Sequence, residues 1–182
     1  MRKIFYVVLV GVLVLASAPV HAQESGTETS VLTDAQIDHI RTNCLSVQGS
    51  LGRIHANDGL TRVNLGRQLD AISSRLMAPL NARIAVNKLD GVELAKTTVE
   101  YTEEFKKFDT AYRDYERTLS SAIDLNCVNQ PVAFYDTLVR AYSKRTSVYE
   151  SLLKLEELIR QYRAQFVVFS ESIVRVKKEQ SP

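Results

Sequence analysis

The sequence predicts an all-α protein, an elongated antiparallel bundle of three to four long helices with coiled-coil character. Apolar residues recur at alternating steps of three and four through several long stretches, which is the spacing of a helix packed against other helices. Glycine and proline are scarce, with 7 and 4 among 182 residues. No segment alternates apolar and polar residues for long enough to indicate a strand.

Residues 1–22 have the pattern of a signal peptide. Arg2 and Lys3 precede the apolar run 4–16, and a stretch of small residues leads to Ala22. We therefore expect cleavage after Ala22 and a secreted or extracytoplasmic protein, in the periplasm or cell envelope. The apolar run is shorter than the roughly 20 residues that a bilayer span needs, so we expect no stable membrane insertion after cleavage. A retained signal anchor is the alternative.

Without residues 1–22, the chain has the length of one domain and carries no excess of positive or negative charge. All 21 acidic residues follow Ala22, and 21 of the 23 basic residues remain once Arg2 and Lys3 are gone. No basic stripe is visible, which argues against a nucleic-acid partner. We expect a flexible lead over residues 23–32, a helical domain over 33–178 and a short tail over 179–182.

The first helix begins with a capping box formed by Thr33 and Gln36. At Asn57-Asp58-Gly59 two interpretations are open. Asp-Gly is a turn pair, which would give separate helices over about 33–57 and 60–87. The seven-residue register carries through the same position, which slightly favours one long helix with a polar middle. Beyond Gly59, the predicted apolar face consists of Leu69, Leu76, Leu80 and Ile84. Pro79 lies within this stretch and should kink or interrupt the helix.

The third helix is predicted over about 91–124, with Asp90 as its cap and Glu93 completing a capping box. It carries a stripe rich in aromatic rings, with Thr98 as a weak member: Leu94, Tyr101, Phe105, Phe108, Tyr112, Tyr115, Leu119 and Ala122. The fourth helix is predicted over about 131–177. Its apolar positions suggest one register from Tyr135 to Leu152 and a second, displaced by one residue, from Leu155 onward.

Cys44 and Cys127 are the two cysteines of the chain and a candidate disulfide. If the first helix is continuous, an antiparallel fold brings the connection after the third helix toward Cys44. If the chain turns back at Gly59, the cysteines lie far apart. The alternative is that both are small buried apolar residues.

Two sets of residues are candidates for a ligand or partner surface. A long first helix would extend past the end of the third helix and leave its own start uncovered. That surface would bind a protein partner, self-associate or be closed by the far part of the chain. The residues concerned are Ile37, Ile40, Val47 and Leu51. The seven tyrosines after the leader lie either at the core edge or along a ligand groove: Tyr101, Tyr112, Tyr115, Tyr135, Tyr142, Tyr149 and Tyr162.

No residue pattern indicates catalysis, a metal or a cofactor. His39 and His55 lie sixteen residues apart without a metal-binding spacing, and no nucleophile or phosphate-binding motif occurs. Glycines recur every seven residues at Gly52, Gly59 and Gly66. They either let another helix approach closely or lie on an open, weakly helical face. We therefore expect a non-enzymatic exported protein that binds protein partners as an envelope adaptor, chaperone-like holder or assembly subunit. The alternative is a small-ligand or peptide binder with a tyrosine-lined groove.

Overall fold

The computed structural model describes the backbone of residues 32–179 and the side chains of residues 32–175. The predicted signal peptide and nearly all of the predicted lead lie outside the described residues. The described part consists of three long helical rods and contains no strand, which confirms the all-α class. The first rod comprises α1 (Asp34–Ala71), a π-helical segment (Ile72–Met77) and α2 (Ala78–Val86). The second rod is α3 (Val92–Asp124) and the third is α4 (Pro131–Glu179).

Neighbouring rods along the chain run antiparallel. Residues late in α1 contact the start of α3, residues in the middle of α1 contact its second half, and the start of α3 contacts the far part of α4. The third rod therefore lies parallel to the first. The contacts that fix these directions are Leu69 with Tyr101, Asp58 with Tyr115, Thr97 with Gln165, and Tyr115 with Arg145.

The first rod is continuous through Gly59. Helix α1 passes through Asn57, Asp58 and Gly59 without a break, so the interpretation with separate helices over 33–57 and 60–87 is wrong. Asp58 does not start a turn here. Its carboxylate instead accepts a hydrogen bond of 2.7 Å from the Tyr115 hydroxyl, which places this polar residue on the packed face of the helix.

The π segment shifts the apolar face of the first rod by one residue. Leu76 lies seven residues after the buried Leu69 and is 64% exposed, whereas Met77 lies eight residues after it and is 2% exposed. A π turn adds a residue to the helix and rotates everything beyond it. Pro79 lies two residues after the end of this segment, and its missing N–H and bulky ring disfavour a regular α turn before it. The predicted face is therefore wrong at Leu76, while the predicted interruption at Pro79 is confirmed.

Helix α3 carries the central stripe of the bundle. All eight of its predicted members lie in the core, with Phe105 half-buried and the others buried. Thr97 is buried while Thr98, the predicted weak member, is half-buried. The helix begins after Gly91 rather than Asp90, although the Asp90 carboxylate still accepts a hydrogen bond from the Val92 N–H.

Helix α4 keeps one register along its whole buried length, so the predicted displacement at Leu152 is wrong. Its core positions recur every seven residues, and Thr137 and Leu158 lie beside them. Two of the buried positions in the first half of α4 are the small residues Ala141 and Val148, and they hide the register in the sequence. The seven-residue positions are Phe134, Ala141, Val148, Leu155 and Tyr162.

Cys44 and Cys127 lie at disulfide-bonding distance, with their Cα atoms 5.8 Å apart. Both are 1% exposed, and together with Phe134 they form a small cluster separate from the main core. This is the pairing that a continuous first helix predicts. Partly buried residues from the first rod and the connection pack against it, namely Ile40, Leu51 and Leu125.

Candidate functional site

The seven candidate tyrosines do not line one groove. Four of them are buried in the core, Tyr135 is half-buried, and two lie exposed on α4. The exposed pair are Tyr142, at 75%, and Tyr149, at 61%. The buried four are Tyr101, Tyr112, Tyr115 and Tyr162.

Tyr101 and Tyr162 tie the second and third rods to the first rod on either side of the π segment. The Tyr101 hydroxyl donates to the Leu69 carbonyl at 2.9 Å, and the Tyr162 hydroxyl lies 3.2 Å from Asn81 Oδ1. Burial raises the pKa of Tyr101 to about 12, and the nearby Asp70 carboxylate adds to the rise. These hydroxyls therefore act as structural donors rather than as acids near neutral pH.

Tyr115 lies in a polar cluster at the middle of the bundle. Its hydroxyl donates to Asp58 Oδ2, and Arg145 Nη2 lies 3.6 Å from the same oxygen. Burial first, and then the hydrogen bond to Asp58, raises the pKa of Tyr115. Arg62 lies over the Tyr112 ring, with 5.1 Å from its guanidinium carbon to the ring centre. Each buried polar group of the cluster has a polar or charged partner, as expected of a contact that stabilises the fold.

A small cavity of about 220 Å³ adjoins this cluster between the rods, with Tyr112, Tyr115 and Tyr149 among its lining residues. Small-molecule sites usually enclose about 300–1,000 Å³. The tyrosine-lined space is therefore too small for the ligand groove that the tyrosine pattern suggested.

The outward face of α4 carries a second regular stripe. Apolar or aromatic residues follow one another there at alternating steps of three and four, with a threonine at one position. All are exposed except Tyr135, which is half-buried. We call this surface the α4 outer stripe, and its members are Val132, Tyr135, Val139, Tyr142, Thr146, Tyr149 and Leu153.

Sequence reasoning found only the three tyrosines of this stripe. It assigned Tyr135, Tyr142 and Tyr149 to the packed face, because tyrosines at seven-residue spacing resemble core positions. The four missed members are Thr146, which is exposed, and Val132, Val139 and Leu153, which are 42%, 49% and 46% exposed. Both apolar stripes of α4 are visible in the sequence, but their spacing alone does not show which of the two is buried.

The start of α1 is covered more than we expected. Ile40 and Leu51 pack against the cysteine cluster, and Ile37 is half-buried, whereas Val47 is 36% exposed. The connection after α3 reaches this end, where Arg41 Nε donates to the Val128 carbonyl at 3.2 Å. Closure by the far part of the chain thus occurs for Ile40 and Leu51, and the four residues do not form an uncovered stripe.

The described side chains include no group of three or more His, Cys, Asp or Glu residues placed to hold a metal ion. None of the described helices combines the length and the apolar character that crossing a membrane requires. Comparison of the chain with family models, with curated proteins and with solved structures finds no match.

Proposed function

We propose that this chain is an exported, non-enzymatic helical protein that binds a helix of a partner protein through the α4 outer stripe. The observation that carries the proposal is the run of seven positions at alternating steps of three and four on an exposed helix face. This spacing is the one with which a helix packs against another helix.

Export is supported by the signal-peptide pattern of residues 1–22 and by the two cysteines. Disulfides persist outside the cytoplasm, and the sulfur atoms of Cys44 and Cys127 lie at bonding distance. A binding role rather than catalysis is supported by the sequence, which carries no catalytic motif.

The composition of the stripe suits a protein interface. Tyrosine and other aromatic residues are enriched at the energetically important positions of interfaces, since they bury a large rigid area and keep a hydroxyl for hydrogen bonding. Three tyrosines stand at consecutive seven-residue positions of the stripe, at 135, 142 and 149.

Two carboxylates beside the stripe favour a partner of a different sequence over a second copy of the chain. Asp136 and Glu150 are exposed next to it and form no ion pair within the described part of the chain. In an antiparallel pairing of two copies these carboxylates would face each other and repel. We therefore propose a partner helix with basic residues beside its apolar stripe.

The test is photo-crosslinking from position 142 in the extracytoplasmic fraction of the source cells. We expect the probe at position 142 to capture one helical protein, and we expect Y149D to abolish that capture because it places a charge in the stripe. S147D changes an exposed residue of α4 outside the stripe and should leave capture intact. Circular dichroism should show that both variants fold.

Three results would overturn the proposal. The first is absence of any cross-linked protein, and the second is equal capture by Y149D and S147D. The third is a cross-link to a second copy of the chain, together with a dimer in light scattering that Y149D dissociates.

A further inference from the structure

A second candidate site lies away from the α4 outer stripe, between the π segment with α2 and the later part of α4. The surface there forms an open groove of about 900 Å³. Its apolar lining includes Ile72, Leu76 and Leu80 from the first rod, and Ile159 and Phe166 from α4. This volume falls within the roughly 300–1,000 Å³ typical of small-molecule sites.

The π segment supplies much of the apolar surface of the groove. In an uninterrupted α-helix Leu76 would follow Leu69 onto the packed face, but the extra residue of the π turn places Met77 there instead. Leu76 is consequently 64% exposed in the groove, and Phe166 across from it is 41% exposed. π turns in α-helices occur frequently at functional sites, where they re-aim side chains.

Four arginines border this apolar surface, two from each rod: Arg75, Arg83, Arg160 and Arg163. Among the described side chains, no acidic one lines the groove. Arg160 is paired with Glu156 at 2.6 Å, and the other three form no ion pair within the described part of the chain. The groove thus combines an apolar floor with an excess of positive charge.

We propose that this groove binds a fatty acid, with the hydrocarbon chain along the apolar floor and the carboxylate on the arginine guanidinium groups. Guanidinium donates paired hydrogen bonds that match the geometry of a carboxylate. Burial of a hydrocarbon chain against Leu76, Leu80 and Phe166 removes apolar surface of both molecules from water.

The chemistry of the lining favours this occupant over other anions. Nucleic acid would meet cations along a continuous stripe, but here four arginines stand among the apolar lining residues of one groove. The Tyr162 hydroxyl, also in the lining, is already engaged with Asn81 of the bundle. The groove therefore offers one kind of polar contact, to an anion, and otherwise apolar surface, which matches a ligand with one charged end.

The test is calorimetric titration of the chain lacking residues 1–22 with laurate below its micelle concentration, beside 1-dodecanol as an uncharged ligand of equal chain length. We expect R83Q/R163Q to weaken laurate binding at least about tenfold and to leave dodecanol binding unchanged. L76D should weaken both ligands, because it places a charge on the floor. The matched control is R113Q/R117Q, which changes two exposed arginines outside the groove and should alter laurate binding by less than about twofold.

Circular dichroism and thermal melting should show that each variant folds as the unchanged chain does. The proposal is overturned if laurate does not bind, if the two arginine pairs have equal effects, or if dodecanol binds as tightly as laurate. It is also overturned if an acidic amphipathic peptide occupies the groove and laurate does not displace it. Because the α4 outer stripe contains none of these residues, the Y149D variant should bind laurate normally whether or not it captures a partner.

Discussion

Helices α1 and α3 have similar lengths, 38 and 33 residues, yet they are held in the bundle by different forces. Eight residues of α3 are buried, whereas Cys44 and Leu69 are the two buried residues of α1. Helix α3 packs with both other rods, so its ring-bearing stripe is covered by apolar neighbours. Apolar burial therefore stabilises α3, while α1 depends on other contacts.

Polar contacts and the cysteine pair compensate for the thin apolar face of α1. Gln48 Nε2 donates to the carbonyls of Ile123 and Leu125 at 2.9 and 2.6 Å, and so supplies donors to backbone groups at the end of α3. Asp58 accepts from Tyr115, and Cys44 lies at bonding distance from Cys127. We infer that stability is unevenly distributed, with α3 and α4 as the stable unit and the start of α1 as the first part to open.

The largest expected effect comes from removing the cysteine pair. Because the two residues are separated by 83 positions, loss of the bridge in C44A/C127A should lower the free energy of unfolding by roughly 4 kcal/mol in the chain-entropy model. Urea denaturation measures the loss, and hydrogen exchange should show reduced protection over 34–57 with α3 still protected. Equal loss of protection in α1 and α3 would contradict the difference between them.

Truncation of leucines should distinguish the well-buried apolar interface of α4 from the thinner apolar face of α1. Leu155 of α4 is 0% exposed, so Leu155→Ala should cost about 3 kcal/mol through lost burial and a cavity. Leu65 of α1 is half-buried, and Leu65→Ala should cost roughly half as much. Leu153→Ala, at an exposed position of α4, is the control and should stay within about 0.5 kcal/mol. Chemical denaturation of the three variants checks this order, and a larger loss for Leu65 than for Leu155 would reverse our interpretation.

Alkaline pH should weaken the contact between α1 and α3 at Tyr101. The pKa of Tyr101 is raised to about 12 in the folded chain, above the usual value of 10.0. The resulting stability is therefore complete below about pH 10 and is lost as the pH rises toward 12, by roughly 2–3 kcal/mol in total. Thermal melting across this range should show a smaller loss for Tyr101→Phe, and Tyr142→Phe should behave like the unchanged chain. An unaltered pH profile in Tyr101→Phe would exclude Tyr101 as the source.

The polar middle of α1 should contribute a smaller amount. Asp58→Asn keeps the shape of the side chain but removes the charge that accepts from Tyr115, so we expect a loss of about 1–2 kcal/mol. Asp109→Asn removes a partly exposed carboxylate that pairs with Arg113 and should cost less than about 0.5 kcal/mol. Urea midpoints of the two variants provide the comparison, and equal losses would show that the Asp58 contact adds nothing beyond a surface pair.

The smallest expected effect is a gain in stability at Gly59. A Cβ atom there would meet no neighbouring atom within 4 Å, so Gly59→Ala should stabilise the continuous helix by up to about 1 kcal/mol. Gly91→Ala is the contrasting variant, because its Cβ would lie 2.5 Å from Ile84 Cγ2 and should destabilise the hairpin before α3. Melting temperatures measure both changes. Destabilisation by Gly59→Ala would indicate that α1 is not a regular helix at this point.

The open surroundings of Gly52, Gly59 and Gly66 also decide between the two interpretations of their seven-residue spacing. An added Cβ at any of the three meets nothing within 4 Å in the described structure. These glycines therefore lie on an open face, where they weaken α1 and bring no helix closer.

Much of the fold could be predicted because the relevant signals are local. The capping box at Thr33 and Gln36, the start of α4 at Pro131 and the stripe of α3 each depend on residues a few positions apart. Cys44 and Cys127 are the candidate pair because the chain has two cysteines, and the continuous first helix is the alternative that brings them together.

The candidate surfaces could not be predicted in the same way. Tyr142 and Tyr149 have the spacing of core residues, but Ala141 and Val148, one position before each, are buried in the core instead. Which of two neighbouring positions is buried is decided only when the helices are placed together.

By itself the sequence determined that the chain forms long helices, where most of them begin, and which face of α3 is buried, since these properties follow from hydrogen bonding and apolar spacing within one helix. Only the tertiary structure decided that the first rod changes register at Leu76, that α4 presents a second stripe outward, and that arginines from two rods border one groove. The physical reason is that a helix's own pattern limits which faces can pack, while the volume and charge of its neighbours select the face that does.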